Sequence, residues 1–146
     1  MSAAPPAGVC VRTPDGARDV PATLRVPGGL PGLPGHDAYE LAPLDDSGVV
    51  FTLRSAPSQG RPVRLFVVAP HAFFPQYAPD LPADALASLG LAGDTTPVLL
   101  AVVHPADDDR ERPTANLLAP LVVHPGDGSA AQVLLDGDHP LRAPLG

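Results

Sequence analysis

The stretch TANLLAPLVVHP, residues 114–125, is the longest apolar run in the chain with turn-forming residues on both sides: Pro113 before it and Gly126-Asp127-Gly128 after. It is too short to cross a bilayer, which takes about 20 apolar residues, and Pro120 interrupts it. Proline has no N–H to give to a ladder in mid-sheet. The stretch therefore reads as two strand segments, 115–119 and 121–124, with a bulge or bend at Pro120. Asn116 stands among leucines and alanines. A buried amide left unpaired costs about 1–3 kcal/mol, so Asn116 is expected to tie a neighbouring backbone in place before it does anything catalytic.

Working outward, the composition supports a β reading. The 146 residues fit one domain, 9–146, behind a short tail at 1–8. Twenty-one prolines and fourteen glycines are spread through the chain and punctuate apolar runs. A proline inside a helix costs about 3 kcal/mol, so long helices are excluded. The net charge is −7, and all nine basic residues are arginines that form no patch, which argues against direct nucleic-acid binding. Cys10 is the sole cysteine, so neither an intramolecular disulfide nor a cysteine-based zinc site is available. The first residues lack the charged and apolar regions of a signal peptide, and no run reaches membrane length. A cytoplasmic setting is expected.

In chain order, 9–12 reads as a first strand and 13–16 as a turn. Residues 20–26 alternate, with Val20, Ala22, Leu24 and Val26 on one face. The Pro- and Gly-rich 27–35 reads as a loop pinned by Leu30 and Leu33. Strands are expected at 37–44, with Tyr39 and Leu41 on one face, and at 49–54 and 63–69, the last two as an antiparallel hairpin across a polar loop. Two prolines bracket PHAFFPQY at 70–77, so it reads as a loop or distorted edge. One helix is expected at 80–91, capped by Asp80, with Pro82 in its first turn, Leu86 and Leu89 facing the core and Gly90 ending it. Residues 97–104 form a fully apolar, central strand. A last strand is expected at 131–135, followed by an irregular tail. The sum is a mainly β chain of eight or so strands with one short helix, a small antiparallel β-barrel-like domain; a sandwich is the alternative.

The search for chemistry yields little. No GxSxG, HxH, HExxH or phosphate-loop spacing is present. His104 and His124 each end a strand, which leaves open a small-molecule or metal-binding barrel built on them. The Asp107-Asp108-Asp109 run is read as a solvated loop that Arg110 and Arg112 partly neutralise. A hydrolase would need a Ser or Cys, a His and a carboxylate gathered by the fold. No catalytic residue, cofactor or metal ligand is assigned. Aromatic side chains on a loop are good contact residues, so Phe73, Phe74 and Tyr77 are the first candidates for touching a partner, with Asp80 and the 107–109 aspartates steering a basic one.

Taken in order, several segments resemble one family. VPGGLPGL at 26–33 resembles the F-P-x-G-I-P-G-F signature of the flagellar assembly factor FliW family. LFVVAPHAFFPQY at 65–77 is similar to its apolar strand and aromatic loop, LPADALASLG at 81–90 to its short helix, TANLLAPLVVHP to its T-x-N-L-x-A-P-I-V-I-N, and AQVLLD at 131–136 to its Q-V-I-L. The resemblance covers about residues 20–145. Val26 and Leu33 stand where the family usually has Phe, and His139 or Pro140 where a Tyr is typical.

The resemblance implies a small, mostly monomeric β-barrel-like regulator that is not an enzyme. It implies binding in the cytoplasm to flagellin and to CsrA, a small RNA-binding translational repressor, each excluding the other. It further implies that Thr114 and Asn116, in the most diagnostic segment, are scaffold first and partner contacts second.

Overall fold

In the computed structural model the described residues are 8–13, 16–26, 37–55, 63–77, 79–91, 96–104, 113–135 and 137–145. The loops expected at 27–35, with Leu30 and Leu33, at 56–62 and at 107–109 lie outside them. β1 (Gly8–Thr13) and β2 (Gly16–Pro21) form an antiparallel two-stranded ribbon. β3 (Thr23–Arg25), β4 (Ala38–Pro43), β5 (Val50–Ser55), β6 (Val63–Val68) and β7 (Val98–His104) run as successive antiparallel neighbours. Along the far edge of β7 lie two short strands in line, β8 (Thr114–Ala115) and β9 (Leu121–Val123). β10 (Ala130–Gln132) pairs with β9, and β11 (Ala143–Pro144) with β8.

The alternating pattern decides which face turns inward. Tyr39, Leu41, Phe51, Leu53 and Val67 are buried together with Leu24, Val98, Leu100, Leu121 and Val123 in one interior cluster. Each such side chain contributes about 1.5–3 kcal/mol by leaving water. β7 and β9 are apolar on both faces because both are covered. The outward Val122 and Leu99 lie under a helix, and the outward Ala101 lies under a second cluster with Val68, Ala115, Leu117 and Ala143. The central position expected for 97–104 is what its pairing with β6, β8 and β9 shows.

The sheet curls into a barrel that is incompletely closed. Among the described residues its end strands β10 and β3 share no ladder; a single parallel bridge, Arg25 to Ser129, joins them, with the Arg25 N–H donating to the Gly128 carbonyl at 2.8 Å. Gly128 makes this approach possible. Its φ is +79°, and a Cβ there would sit 2.5 Å from the Thr23 carbonyl oxygen.

Several expectations are corrected. Residues 20–26 are not one strand: the chain breaks at Ala22 and passes from the ribbon into the barrel sheet. The segment 70–77 is not all loop, because Pro70–Phe73 forms a helical turn, α1. Proline is suited to a first helical position, where its missing N–H has no partner to lose, and the Phe74 N–H closes the turn on the Pro70 carbonyl. The helix expected at 80–91 is α2, only Ala83–Ser88. Pro82 takes the N-cap place and no side chain caps the helix, so Asp80 is not its cap. Leu89 is buried and Leu86 packs beside it, as expected, and Gly90 follows with φ +74°. The strand expected at 131–135 is β10, at 130–132, and it is not the last: the tail is not wholly irregular, since β11 extends the sheet beyond β8. The described residues hold eleven strands and two short helices.

Candidate functional site

The quoted stretch 114–125 is one strand with an insertion in its middle. Leu100 faces Leu121, so unbroken pairing would put Val103 opposite Leu118; instead Val103 faces Ala115. Three extra residues therefore bulge out of the edge, which replaces the strand expected at 115–119 with the short β8 and a loop. Most backbone groups of the bulge have a hydrogen-bond partner, as a partly buried backbone needs. Asn116 Oδ1 accepts from the N–H of Leu118 at 3.1 Å and of Ala119 at 3.0 Å, which makes it the backbone tie expected of it. Its own N–H donates to the Val102 carbonyl, and that of Leu117 to the Pro140 carbonyl. The carbonyls of Leu118 and Pro120 accept from Leu135 and Val133, and Ala119 accepts from the Gln132 amide.

The Leu117 carbonyl accepts from the Tyr77 hydroxyl at 2.6 Å. This bond ties the α1 corner to the bulge. His139 meets the Tyr77 ring edge-on, with centroids 5.6 Å apart, and so brings in the C-terminal segment. Half-burial of Tyr77 raises its phenol to about 12, and the neutral donor form is the one the Leu117 carbonyl requires.

The result is an open cleft of about 550 Å³ walled by Phe73, Phe74, Pro75, Gln76, Tyr77, Leu117 and His139. No wall carries a formal charge when His139 is neutral. Phe73 is 37% exposed, while Phe74 and Tyr77 are partly buried against the cluster of Val68, Ala101, Ala115, Leu117 and Ala143. The structure thus brings Phe73, Phe74 and Tyr77 together. Asp80 is exposed and lies with the other side of Tyr77 in an adjoining apolar depression lined by Pro70, Leu81, Leu86 and Leu99. Thr114 and Asn116 do not line the cleft; they lie in β8 and in the bulge, in the segment that supplies its wall residue Leu117. Thr114 Oγ1 is enclosed without a hydrogen-bond partner among the described residues. Sequence reasoning missed Leu117 and His139 as walls. No local pattern marks them, because they meet Tyr77 across 40 and 62 positions.

Two other chemical readings can be placed. His104 and His124 do not converge. β7 and β9 pair, but antiparallel, so His124 lies beside Pro97 at the opposite end of β7 from His104. At about 3.3 Å per residue the two are roughly 23 Å apart. Among the described residues, no three of the types that hold metals cluster. The second reading concerns a wide groove of about 1050 Å³ that gathers Cys10, His71, Asp45 and Ser47. No hydrogen bond among the described residues links Cys10 to His71. Asp45 is committed to Ser47, accepting from its hydroxyl and its N–H, and these two bonds hold the carboxyl below the usual range. The relay a nucleophile needs is not assembled there.

The chain is an incompletely closed antiparallel barrel with two short helices and a cleft walled largely by aromatic side chains. The crystal structure of a flagellar assembly factor FliW shares this fold, with a TM-score of 0.73 over 96% of this chain and 97% of that one, at 23% identity. The profile of the FliW protein family matches residues 16–145, and the chain belongs to that family. Among its relatives, the flagellar assembly factor FliW of Heliobacterium modesticaldum is 33% identical over 83% of this chain and 78% of its own length. That of Symbiobacterium thermophilum is 35% identical over 82% and 86%. Among the described residues no helix is long and apolar enough to cross a membrane.

Proposed function

We propose that this protein is a cytoplasmic flagellar assembly factor that acts by protein–protein binding alone. It holds flagellin in one state and the translational repressor CsrA in the other, so that export of flagellin frees it to capture CsrA and lift repression of flagellin synthesis. Family membership across residues 16–145 carries this reading. The cleft supports it: Phe73 offers an exposed aromatic beside the half-buried Phe74 and Tyr77, the composition typical of interface anchors. The net charge of −7 suits a basic partner. In this reading Phe73, Phe74 and Tyr77 make contact, Asp80 steers, and Thr114 and Asn116 hold the surface in shape. The protein works as a monomer with neither metal nor cofactor.

The test is direct binding of the purified, folded protein to purified CsrA and to flagellin at micromolar concentration, with each partner added in competition against the other. Binding to both, mutually exclusive, is expected. Folded protein that binds neither overturns the proposal.

A further inference from the structure

A different part of the molecule carries an inference of its own. Among the described residues the β9–β10 hairpin is the element that reaches across to β3, through Gly128 and Ser129, and joins the two ends of the barrel sheet. Its turn is built on a histidine. The His124 carbonyl accepts from the Gly128 N–H at 3.0 Å, and its N–H donates to the Ser129 carbonyl at 2.7 Å. Its ring then folds over the turn: Nδ1 accepts from the N–H of Gly126 at 3.0 Å and of Asp127 at 3.3 Å. The ring side chain is only 19% exposed.

Both of these bonds require a lone pair on Nδ1. A neutral imidazole has one nitrogen that accepts and one that donates, while an imidazolium has two donors and no acceptor. With Nδ1 accepting, the ring hydrogen is on Nε2, and the only place for a further proton is Nδ1 itself. Protonation would therefore set an N–H against two backbone N–H groups.

The charged surroundings pull the other way. On the same turn Asp127 Oδ1 lies 3.6 Å from Nδ1. Its carboxyl is held below the usual range, chiefly by the Ser129 N–H, so it stays ionised through neutral and mildly acid pH. From β3, the Arg25 guanidinium reaches the Asp127 carbonyl at 3.4 Å. From the end of α2, among the described residues, it is Gly90 that faces the ring, bringing no titratable side chain. A protonated ring loses its acceptor for both backbone donors, and its Nδ1–H would be drawn instead to the Asp127 carboxylate.

We propose that the β9–β10 turn is a pH-sensitive clasp on the barrel seam, locked by neutral His124 and loosened when His124 takes up a proton. Among the described residues the seam rests on the one Arg25–Ser129 bridge, so loosening the turn releases the Arg25 N–H from Gly128 and frees the edges of β3 and β10.

The clasp is tested by NMR on the intact protein. Long-range proton–nitrogen correlation at neutral pH reads the His124 tautomer directly. Nε2–H is expected, and Nδ1–H overturns the proposal. Amide exchange of Arg25 and Gly126, corrected for its intrinsic pH dependence, is then followed from about pH 8 to about pH 5.5, the range over which imidazoles protonate. Protection is expected to fall about fivefold or more, the size of one ordinary backbone bond. His124→Asn keeps an acceptor over the turn without a titrating group and should flatten this response; an unchanged response overturns the assignment to His124. Asp127→Asn keeps the oxygen that accepts from Ser129 but removes the compensating charge, and should enlarge the response. A response that disappears in Asp127→Asn would overturn the clasp in favour of the ion pair.

Discussion

The Tyr77 hydroxyl donates to the Leu117 carbonyl at 2.6 Å and thereby fixes the α1 corner to the bulge in the edge strand. The ring forms a wall of the cleft and the hydroxyl holds the opposite wall, so the two parts of one side chain do separable work. Tyr77→Phe should lower stability by about 0.5–1.5 kcal/mol, the net worth of one such bond, while keeping the ring surface. Tyr77→Ala should weaken both stability and partner binding. Urea denaturation followed by circular dichroism, run beside a binding assay, separates the two.

The same bond predicts an alkaline response. The Tyr77 phenol is raised to about 12 by burial, against about 10 in the unfolded chain. Between these values the unfolded state has lost its proton and the folded state has kept it. The stabilisation is thus complete below about pH 10 and falls as pH rises towards 12. Subtracting the pH profile of Tyr77→Phe from that of the wild type isolates this loss. Parallel profiles between pH 9 and 11 would refute it.

Asn116 holds the bulge through one oxygen that serves two backbone donors. Asn116→Ala leaves both N–H groups without that partner and should cost about 1–2 kcal/mol, comparable to the loss of a helix N-cap. Asn116→Asp keeps the oxygen and should recover most of it. Thermal melts of the three proteins check the order wild type, Asp, Ala.

Gly128 and Gly90 share a left-handed φ, at +79° and +74°, but differ in what a side chain would meet. Alanine at 90 finds only the edge of the His124 ring at 3.8 Å, so its cost is conformational, about 1–2 kcal/mol. Alanine at 128 meets the Thr23 carbonyl at 2.5 Å and must also open the seam. Gly128→Ala should therefore be the more destabilising, and should raise amide exchange at Arg25 where Gly90→Ala does not.

Phe73 is the cleft residue with least structural duty. Phe73→Ala should change stability by no more than about 0.5 kcal/mol, as exposed substitutions usually do. It should still weaken partner binding about tenfold if Phe73 is an interface anchor. Isothermal titration against CsrA and flagellin reads this, and undiminished binding to both would remove Phe73 from the contact set.

Much of the fold is legible in the sequence where the pattern is local. The alternation at 37–44 and 49–54 names Tyr39, Leu41, Phe51 and Leu53 as one face, and these are buried together. The unbroken apolar run at 97–104 marks a strand covered on both sides. Pro120 and Asn116 signal a break in 114–125 and the residue that ties it. What failed was the extent of elements. Asp80 reads as a helix cap and Pro70 as a loop residue, but propensity does not say whether a turn of helix will find something to pack against.

The sequence by itself determined that this chain is a mainly β protein, which residues turn inward, and, through its ordered motifs, the FliW family. These are properties of near neighbours along the chain, set by side-chain period, proline and glycine. Only the tertiary structure decided that Tyr77, Leu117 and His139 share a cleft, that His104 and His124 stand at opposite ends of β7, and that a bridge from Arg25 to Ser129 joins the two ends of the barrel sheet. Strand register and direction create those relationships. They arise from how whole faces pack, which no window of neighbouring residues contains.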